Sequence, residues 1–296
     1  MVLEPKGIVT PIVTPFDSKD EINEAVYRDL IDFLLDSGIH GVFACGSQGE
    51  FWALSKNEKK RLFEVAVDHV NGRVPVYAGT GAESTKEVIE LTRMAKDVGI
   101  DAVSIITPYF IKPDGEGLAG HYRMIAQRVD IPILVYTNPA RTGGVAISPD
   151  CLNELAEECS NIVGIKDSSG DLSLTLEYIK KSGDRISVLA GRDSIIFQTL
   201  VSGGRGAVSA CANVVPKLIV SLYDSARNRD YETALDIQKR VSDLRMAFEL
   251  GVFPGVIKES VNAMGFDVGS CRMPVRPLKP KDRESLLGIL KGLGVV

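Results

Sequence analysis

The feature of this sequence that most constrains its fold is a regular alternation of short β-branched runs with longer amphipathic segments. The strand-like runs cover residues 7–13, 41–45, 74–78, 102–107, 131–136, 162–166, 186–190 and 206–209. Between them, apolar residues recur three and four positions apart, as in Tyr27, Leu30 and Ile31, which is typical of helices with one buried face. Strands that alternate with helices in this way predict a parallel sheet.

Signals for the beginning and end of helices support this alternation. Ser55 with Glu58, and Ser84 with Glu87, have the spacing of capping boxes at helix N-termini. Three similar phrases, DSGIHGVF at 36–43, DVGIDAVS at 97–104 and SGGRGAVS at 202–209, predict a glycine-terminated helix followed directly by a strand. Eight such units favour an α/β fold of the (β/α)8 TIM-barrel type, and a doubly wound open sheet is the alternative.

The strand signal stops beyond residue 228. Residues 231–249, 254–264 and 281–290 have helical periodicity, and a proline-rich link precedes the last of these segments. The sequence therefore predicts a catalytic barrel over residues 1–228 and a C-terminal α-helical extension over residues 229–296. We expect this extension to make oligomer contacts.

Composition excludes several classes of protein. The 34 basic and 39 acidic residues give a net charge of −5, which offers no footprint for a nucleic-acid backbone. No apolar run approaches the roughly 20 residues that a membrane-spanning helix needs, and the N-terminus lacks a secretory signal, so we expect a cytoplasmic protein. The five cysteines form no C-x-x-C pair and the three histidines have no ligand spacing, so we expect free thiols and no metal site.

In a barrel of this type, catalytic groups lie at the C-terminal ends of the strands. Lys166 ends the sixth predicted strand after the run Ile162–Ile165, so its stem is expected to contact the apolar interior. An ammonium group held there is poorly solvated, which lowers its pKa and favours the free amine that Schiff-base chemistry requires. The alternative is a lysine that reaches water or pairs with Asp167.

Other polar residues follow neighbouring strands in the same way. Tyr136 ends the fifth strand and is suited to proton transfer next to Lys166, although a strand-end tyrosine can also serve packing alone. The glycine-flanked segment 46–50 can present backbone amides and the Ser47 hydroxyl to a small carboxylate, or form an ordinary turn. Arg141 offers a planar fork for a second carboxylate, or is a solvated loop residue.

Five motifs in order along the chain resemble the dihydrodipicolinate synthase and N-acetylneuraminate lyase family. They are TPIVTPF at 10–16, GSQGE at 46–50, TPYF at 107–110, YTNPARTG at 136–143 and GIKDSSG at 164–170. The resemblance implies a (β/α)8 barrel, a homotetramer built as a dimer of dimers, and class I aldolase chemistry without a metal or cofactor. It also implies pyruvate or another 2-oxo acid as one substrate and an aldehyde as the other.

The resemblance also implies roles for individual residues. Lys166 would form an imine with the 2-oxo acid, and Tyr136 and Tyr109 would complete the catalytic residues. The substrate-binding residues would be Gly46, Ser47, Gln48, Arg141 and Val208. Arg141 stands where the synthase branch binds the carboxylate of aspartate semialdehyde.

Two positions depart from the synthase branch. Gln48 replaces the second threonine after the first glycine, and Phe110 replaces the tyrosine that reaches a neighbouring subunit, so two relay hydroxyls are missing there. The favoured activity is condensation of pyruvate with aspartate semialdehyde. A 2-keto-3-deoxy sugar acid or 4-hydroxy-2-oxo acid aldolase or dehydratase is the alternative. Outside this class stand a non-catalytic 2-oxo acid binding protein and a phosphate-binding isomerase barrel.

Overall fold

Parallel strands close into a complete barrel in the order β1 to β8, with β8 paired to β1. A computed structural model describes residues 3–296 of the chain. Met1 and Val2, which belong to the N-terminus where no secretory signal is expected, lie outside the described residues. The strands are β1 (Gly7–Pro11), β2 (Gly41–Ala44), β3 (Val76–Gly79), β4 (Ala102–Ile106), β5 (Ile133–Thr137), β6 (Ile162–Asp167), β7 (Ser187–Ala190) and β8 (Gly206–Val208). The predicted TIM barrel is confirmed, and the open sheet is wrong.

A helix follows every strand. These helices are α1 (Glu24–Asp36), α2 (Lys56–Val70), α3 (Thr85–Val98), α4 (Gly115–Arg128), α5 (Pro149–Glu158), α6 (Leu172–Ser182), α7 (Ile196–Val201) and α8 (Pro216–Arg227). The predicted capping box is complete at Ser55, whereas Ser84 accepts from the Glu87 amide only. Gly38, Gly99 and Gly203, which come from the three repeated phrases, all have positive φ, as the predicted helix ends require.

Prolines account for most differences between the predicted and observed strands. The third and fifth strands begin after Pro75 and Pro132, two residues later than predicted, and β1 ends at Pro11. Proline has no N–H to donate across the sheet, so regular pairing begins or ends next to it.

Two apolar cores hold the barrel together. The larger core lies between the strands and the surrounding helices, and the smaller one fills the barrel interior. The interior residues are Val9, Phe43, Tyr77, Ala102, Leu134, Leu189 and Val208. Because the interior is filled by side chains, space for a ligand is expected at the C-terminal ends of the strands.

The chain continues into three further helices, α9 (Tyr231–Met246), α10 (Gly255–Ala263) and α11 (Pro280–Gly292). A 3-10 turn at Ala247–Leu250 extends α9, close to the predicted end of that helix. Gln238 of α9 bonds to the Asp193 carbonyl and the Phe197 amide, so this extension packs on the loop that follows β7. None of the helices described between residues 3 and 296 has the length and apolarity needed to cross a membrane.

Candidate active site

Lys166 and Tyr136 are direct neighbours on strands β6 and β5. The pairing of these strands shifts by one residue between Ile133 and Leu134, because Ile133 lies opposite Ile162 while Leu134 lies opposite Gly164. Val163 is therefore the extra residue of a bulge. Without this shift Tyr136 would lie opposite Ile165, so the bulge places the lysine beside the tyrosine.

The Lys166 side chain is buried among aromatic rings. Its Nζ lies 3.9 Å from the centroid of the Tyr136 ring and 5.1 Å from that of Phe43, and the residue is 4% exposed. Burial lowers the pKa of Lys166, and the nearby Tyr136 and Asp193 only partly oppose this effect. The predicted desolvated amine is thus present at a rigid strand end, and Lys166 belongs to no ion pair among residues 3–296, with Asp167 or any other carboxylate.

Tyr136 is also buried, and its hydroxyl is surrounded by polar groups. Burial by itself raises the pKa of the Tyr136 phenol, but the positive charge of Lys166 opposes this. Hydrogen bonds from Asn138, Ser47 and Ser168 act in the same direction as that charge, so the pKa is lowered overall. Asn138 Nδ2 donates to the phenolic oxygen over 2.9 Å. This tyrosine is therefore in a position to give up and regain a proton beside the lysine.

The segment 46–50 forms a tight loop at the end of β2. Cys45 and Glu50 have φ of 52° and 56°, so both ends of the loop are in the left-handed region. Ser47 and Gln48 line the main cavity, whereas Gly46 lines only a small adjacent void. Ser47 is one of the groups that lower the pKa of Tyr136, so position 47 supplies a hydroxyl on the same cavity although position 48 lacks one. Gln48 is 3% exposed, and its Oε1 has no hydrogen-bond partner within the described part of the chain.

The remaining predicted residues also surround the cavity, whose volume is about 610 Å³. Val208 lies in the barrel interior beneath it. Tyr109 is half-buried beside Phe51, and burial, followed by the charge of Glu83, raises the pKa of its phenol. The exposed Arg141 stacks on Phe253, with 4.5 Å between its guanidinium carbon and the ring centroid.

Several cavity residues were missed by sequence reasoning. Arg192 and Asp193 follow β7 after one glycine, so the strand-end criterion that selected Lys166 could have found them. Arg245 and Phe253 come from the C-terminal extension, and no spacing in the sequence connects them to the strand ends. The extension therefore lines the cavity, in addition to any part that it has in assembly.

A closed (β/α)8 barrel with a buried lysine and a hydrogen-bonded tyrosine at neighbouring strand ends defines a class I aldolase-type lyase. The chain belongs to the dihydrodipicolinate synthetase family, whose model matches residues 4–293. The predicted family, fold and enzyme class are thereby confirmed.

Relatives and solved structures agree with this family over nearly the whole chain. A 4-hydroxy-tetrahydrodipicolinate synthase from Methanopyrus kandleri is 38% identical over 98% of this chain and 97% of its own length. A crystal structure of dihydrodipicolinate synthase is 38% identical, with a TM-score of 0.94 over 98% of this chain and all of its own. The synthase from Acinetobacter baumannii, solved with pyruvate, is 34% identical, with a TM-score of 0.95 over 98% of this chain and 99% of its own.

Proposed function

We propose that this chain condenses pyruvate with aspartate semialdehyde through an imine on Lys166, as a 4-hydroxy-tetrahydrodipicolinate synthase. The observation that carries the proposal is the buried Lys166 amine 3.9 Å from the Tyr136 ring at the floor of the cavity. The names of the relatives and the pyruvate bound to the Acinetobacter baumannii enzyme support the same substrates. The chain supplies every group that this chemistry needs, so the proposal requires no cofactor and no metal.

The reaction begins with attack of the Lys166 nitrogen on C2 of pyruvate. Tyr136 protonates the former ketone oxygen, which leaves as water, and the imine forms. Loss of a proton from C3 gives an enamine, and C3 then forms the new carbon–carbon bond to the aldehyde carbon. The aldehyde oxygen takes up a proton and becomes a hydroxyl group. The amino group of the semialdehyde then attacks C2 and displaces the Lys166 nitrogen, so the ring closes as a cyclic imine and the free amine of Lys166 is regenerated.

Two loops hold the reactants in this proposal. The amides of Ser47 and Gln48 and the Ser47 hydroxyl bind the pyruvate carboxylate, because both residues line the cavity that contains Lys166. Ser47 also passes protons to and from Tyr136, with Tyr109 close to the same cavity wall. Arg141, held on the Phe253 ring, takes the carboxylate of the semialdehyde.

One observation favours a second activity. Gln48 lines the cavity at the position where the synthase branch has a threonine, and a side-chain amide can exchange hydrogen bonds with a hydroxyl group of a longer substrate. Cleavage or dehydration of a 2-keto-3-deoxy sugar acid or a 4-hydroxy-2-oxo acid is therefore the alternative activity of the same lysine.

The shared chemistry is tested by borohydride reduction in the presence of pyruvate, followed by intact mass measurement. We expect a covalent pyruvate adduct that is absent in Lys166→Ala. An adduct that persists in that variant contradicts the proposal, and saturable pyruvate binding without any adduct supports a non-catalytic binding protein.

The acceptor is tested with pyruvate plus aspartate semialdehyde or, separately, glyceraldehyde. We expect turnover of the semialdehyde, with a raised KM in Arg141→Ala and an unchanged KM in Arg229→Ala, which alters an arginine that does not line the cavity. Negligible turnover of the semialdehyde, together with turnover of glyceraldehyde, excludes the synthase reaction and supports the alternative.

For assembly, we propose a cytoplasmic homotetramer arranged as a dimer of dimers. Phe110 is 94% exposed and Ile111 is 59% exposed in the loop between β4 and α4, a costly arrangement for two adjacent large apolar residues in a monomer. We propose that Phe110 and Ile111 pack on a second copy of the chain. The barrel over residues 1–228 thus makes one set of oligomer contacts, and the C-terminal extension over residues 229–296 makes further ones. Sedimentation equilibrium of the wild type and of Phe110→Asp is expected to show a tetramer and a smaller species, and a monomeric wild type contradicts the proposal.

A further inference from the structure

Two arginine side chains in the cavity have no part in the proposed condensation. Arg192 follows β7 and Arg245 lies near the end of α9, and both are half-buried and line the cavity that contains Lys166. Neither guanidinium forms an ion pair within the range 3–296. Two partly desolvated cations without a paired carboxylate are unfavourable unless an anion joins them.

Arg192 lies close to strand β6, which carries Lys166. Strand β7 pairs with β6, and Leu189 of β7 lies opposite Lys166. Arg192 is therefore three residues further along the chain than the residue opposite Lys166. A Cβ placed on Gly170 would lie 2.9 Å from both Cδ and Nη1 of Arg192, so the arginine packs directly on the glycine of the GIKDSSG motif. The Arg192 guanidinium therefore lies next to the loop that follows β6.

Arg245 is held by an aromatic ring. Its guanidinium carbon lies 4.7 Å from the centroid of the Phe248 ring. Burial lowers the pKa of Arg192, the positive charge of Arg245 lowers it further, and Glu249 opposes both effects. The two arginines line the same cavity, and the exposed Glu249 compensates their positive charges only in part.

The buried Asp193 carboxylate, which also lines the cavity, already accepts hydrogen bonds from other groups of the protein. Asp193 accepts from the Ser209 hydroxyl and from the Cys211 amide, both of which are buried. In the proposed function, the carboxylate next to the ketone of a 2-oxo acid binds the loop 46–48. Arg141, which binds the carboxylate of the semialdehyde, is on a different loop. Arg192 and Arg245 therefore remain available to a second carboxylate attached to the same carbon chain as the ketone.

We propose that Arg192 and Arg245 form a second carboxylate subsite, through which the enzyme also takes 2-oxo dicarboxylic acids as imines on Lys166. This inference rests on the imine chemistry of the proposed function and extends the donor beyond pyruvate. The Lys166 nitrogen adds to the ketone carbon, the ketone oxygen leaves as water, and the terminal carboxylate binds the two guanidiniums. Borohydride delivers a hydride to the C=N carbon and leaves a stable secondary amine.

The test is borohydride trapping with three 2-oxo acids under identical conditions: pyruvate, 2-oxobutyrate and 2-oxoglutarate. 2-Oxobutyrate extends the chain of pyruvate without adding a charge, so it separates size from charge. We expect half-maximal trapping of 2-oxoglutarate at a lower concentration than of 2-oxobutyrate. In Arg192→Gln and Arg245→Gln, that concentration is expected to rise about tenfold to hundredfold for 2-oxoglutarate and to stay unchanged for pyruvate.

Arg240→Gln provides the matched control, because Arg240 lies on the same helix as Arg245 but is exposed and outside the cavity. Pyruvate trapping in each variant reports whether the site is folded. Equal trapping of 2-oxobutyrate and 2-oxoglutarate by the wild type overturns the proposal, as does loss of 2-oxoglutarate trapping in Arg141→Gln but not in the other two variants. Absence of a pyruvate adduct in the wild type would instead contradict the proposed function itself.

Discussion

Lys258 on α10 and Glu50 at the end of the loop after β2 form a fully buried ion pair, with 2.8 Å between Nζ and Oε1. Their side chains are 1% and 0% exposed, and the other Glu50 oxygen accepts from the Arg272 amide over 2.8 Å. The ammonium of Lys258 also lies over the Phe16 ring. The C-terminal extension is thus tied to the loop that presents Ser47 and Gln48 to the cavity.

Replacing Lys258 with methionine is expected to destabilise the protein and weaken pyruvate binding. The substitution leaves the Glu50 carboxylate buried without its cation, which costs about 3–5 kcal/mol, and frees the end of the loop. Urea unfolding and the KM for pyruvate measure the two effects. Lys56→Met, which removes the exposed pair with Glu90, is expected to cost less than about 1 kcal/mol and to leave the KM unchanged. Equal effects of the two substitutions would show that the buried pair has no special role.

Tyr136→Phe is expected to slow imine formation about a hundredfold or more, with little change in the affinity for pyruvate, because the variant keeps the ring but loses the proton donor. Rapid-mixing measurements of borohydride-trappable adduct give the rate. Tyr231→Phe, an exposed tyrosine on α9, is the control and should behave as the wild type. An unchanged rate in Tyr136→Phe would assign proton transfer to another group.

Asp193→Asn is expected to shift the pH dependence of imine formation to lower pH. The Asp193 carboxylate raises the pKa of Lys166 against the larger effect of burial, so its removal lowers that pKa further. The reactive free amine then appears at lower pH, and the midpoint of the trapping rate moves in the same direction. Asparagine retains an acceptor for Ser209 and the Cys211 amide. A midpoint that moves to higher pH would contradict this role of the carboxylate.

Gly164→Ala is expected to destabilise the barrel by about 1–3 kcal/mol, because its Cβ has no space. That atom would lie 2.6 Å from Leu134 Cδ1 and 2.7 Å from the Ser187 carbonyl oxygen. Gly164 and Lys166 lie on the same face of β6, so the trapping rate with pyruvate should fall as well. Gly120→Ala, at an open position in α4, should be neutral or slightly stabilising in the same unfolding experiment.

Local chemistry explains which parts of the site were predictable. Lys166 and Tyr136 each end a β-branched run, and strand ends meet at one edge of a parallel barrel whatever the details of packing. The cavity lining by Gln48 and Val208 follows from the same rule. Gly46, which was expected among the substrate-binding residues, lines a small adjacent void and not the main cavity. Arg245 and Phe253 were not predictable, because helices of the extension reach the cavity through contacts between residues far apart in the chain.

The sequence by itself determined the alternation of strands and helices, the strand-end positions of the lysine and the tyrosine, and the absence of paired metal-ligand spacings. Periodicity and residue type are local properties, and they suffice for these features. Only the tertiary structure decided that the sheet closes between β1 and β8, and that the bulge at Val163 places Lys166 opposite Tyr136. It also decided the pairing of Lys258 with Glu50, because register and burial depend on how distant segments pack and no local pattern encodes them.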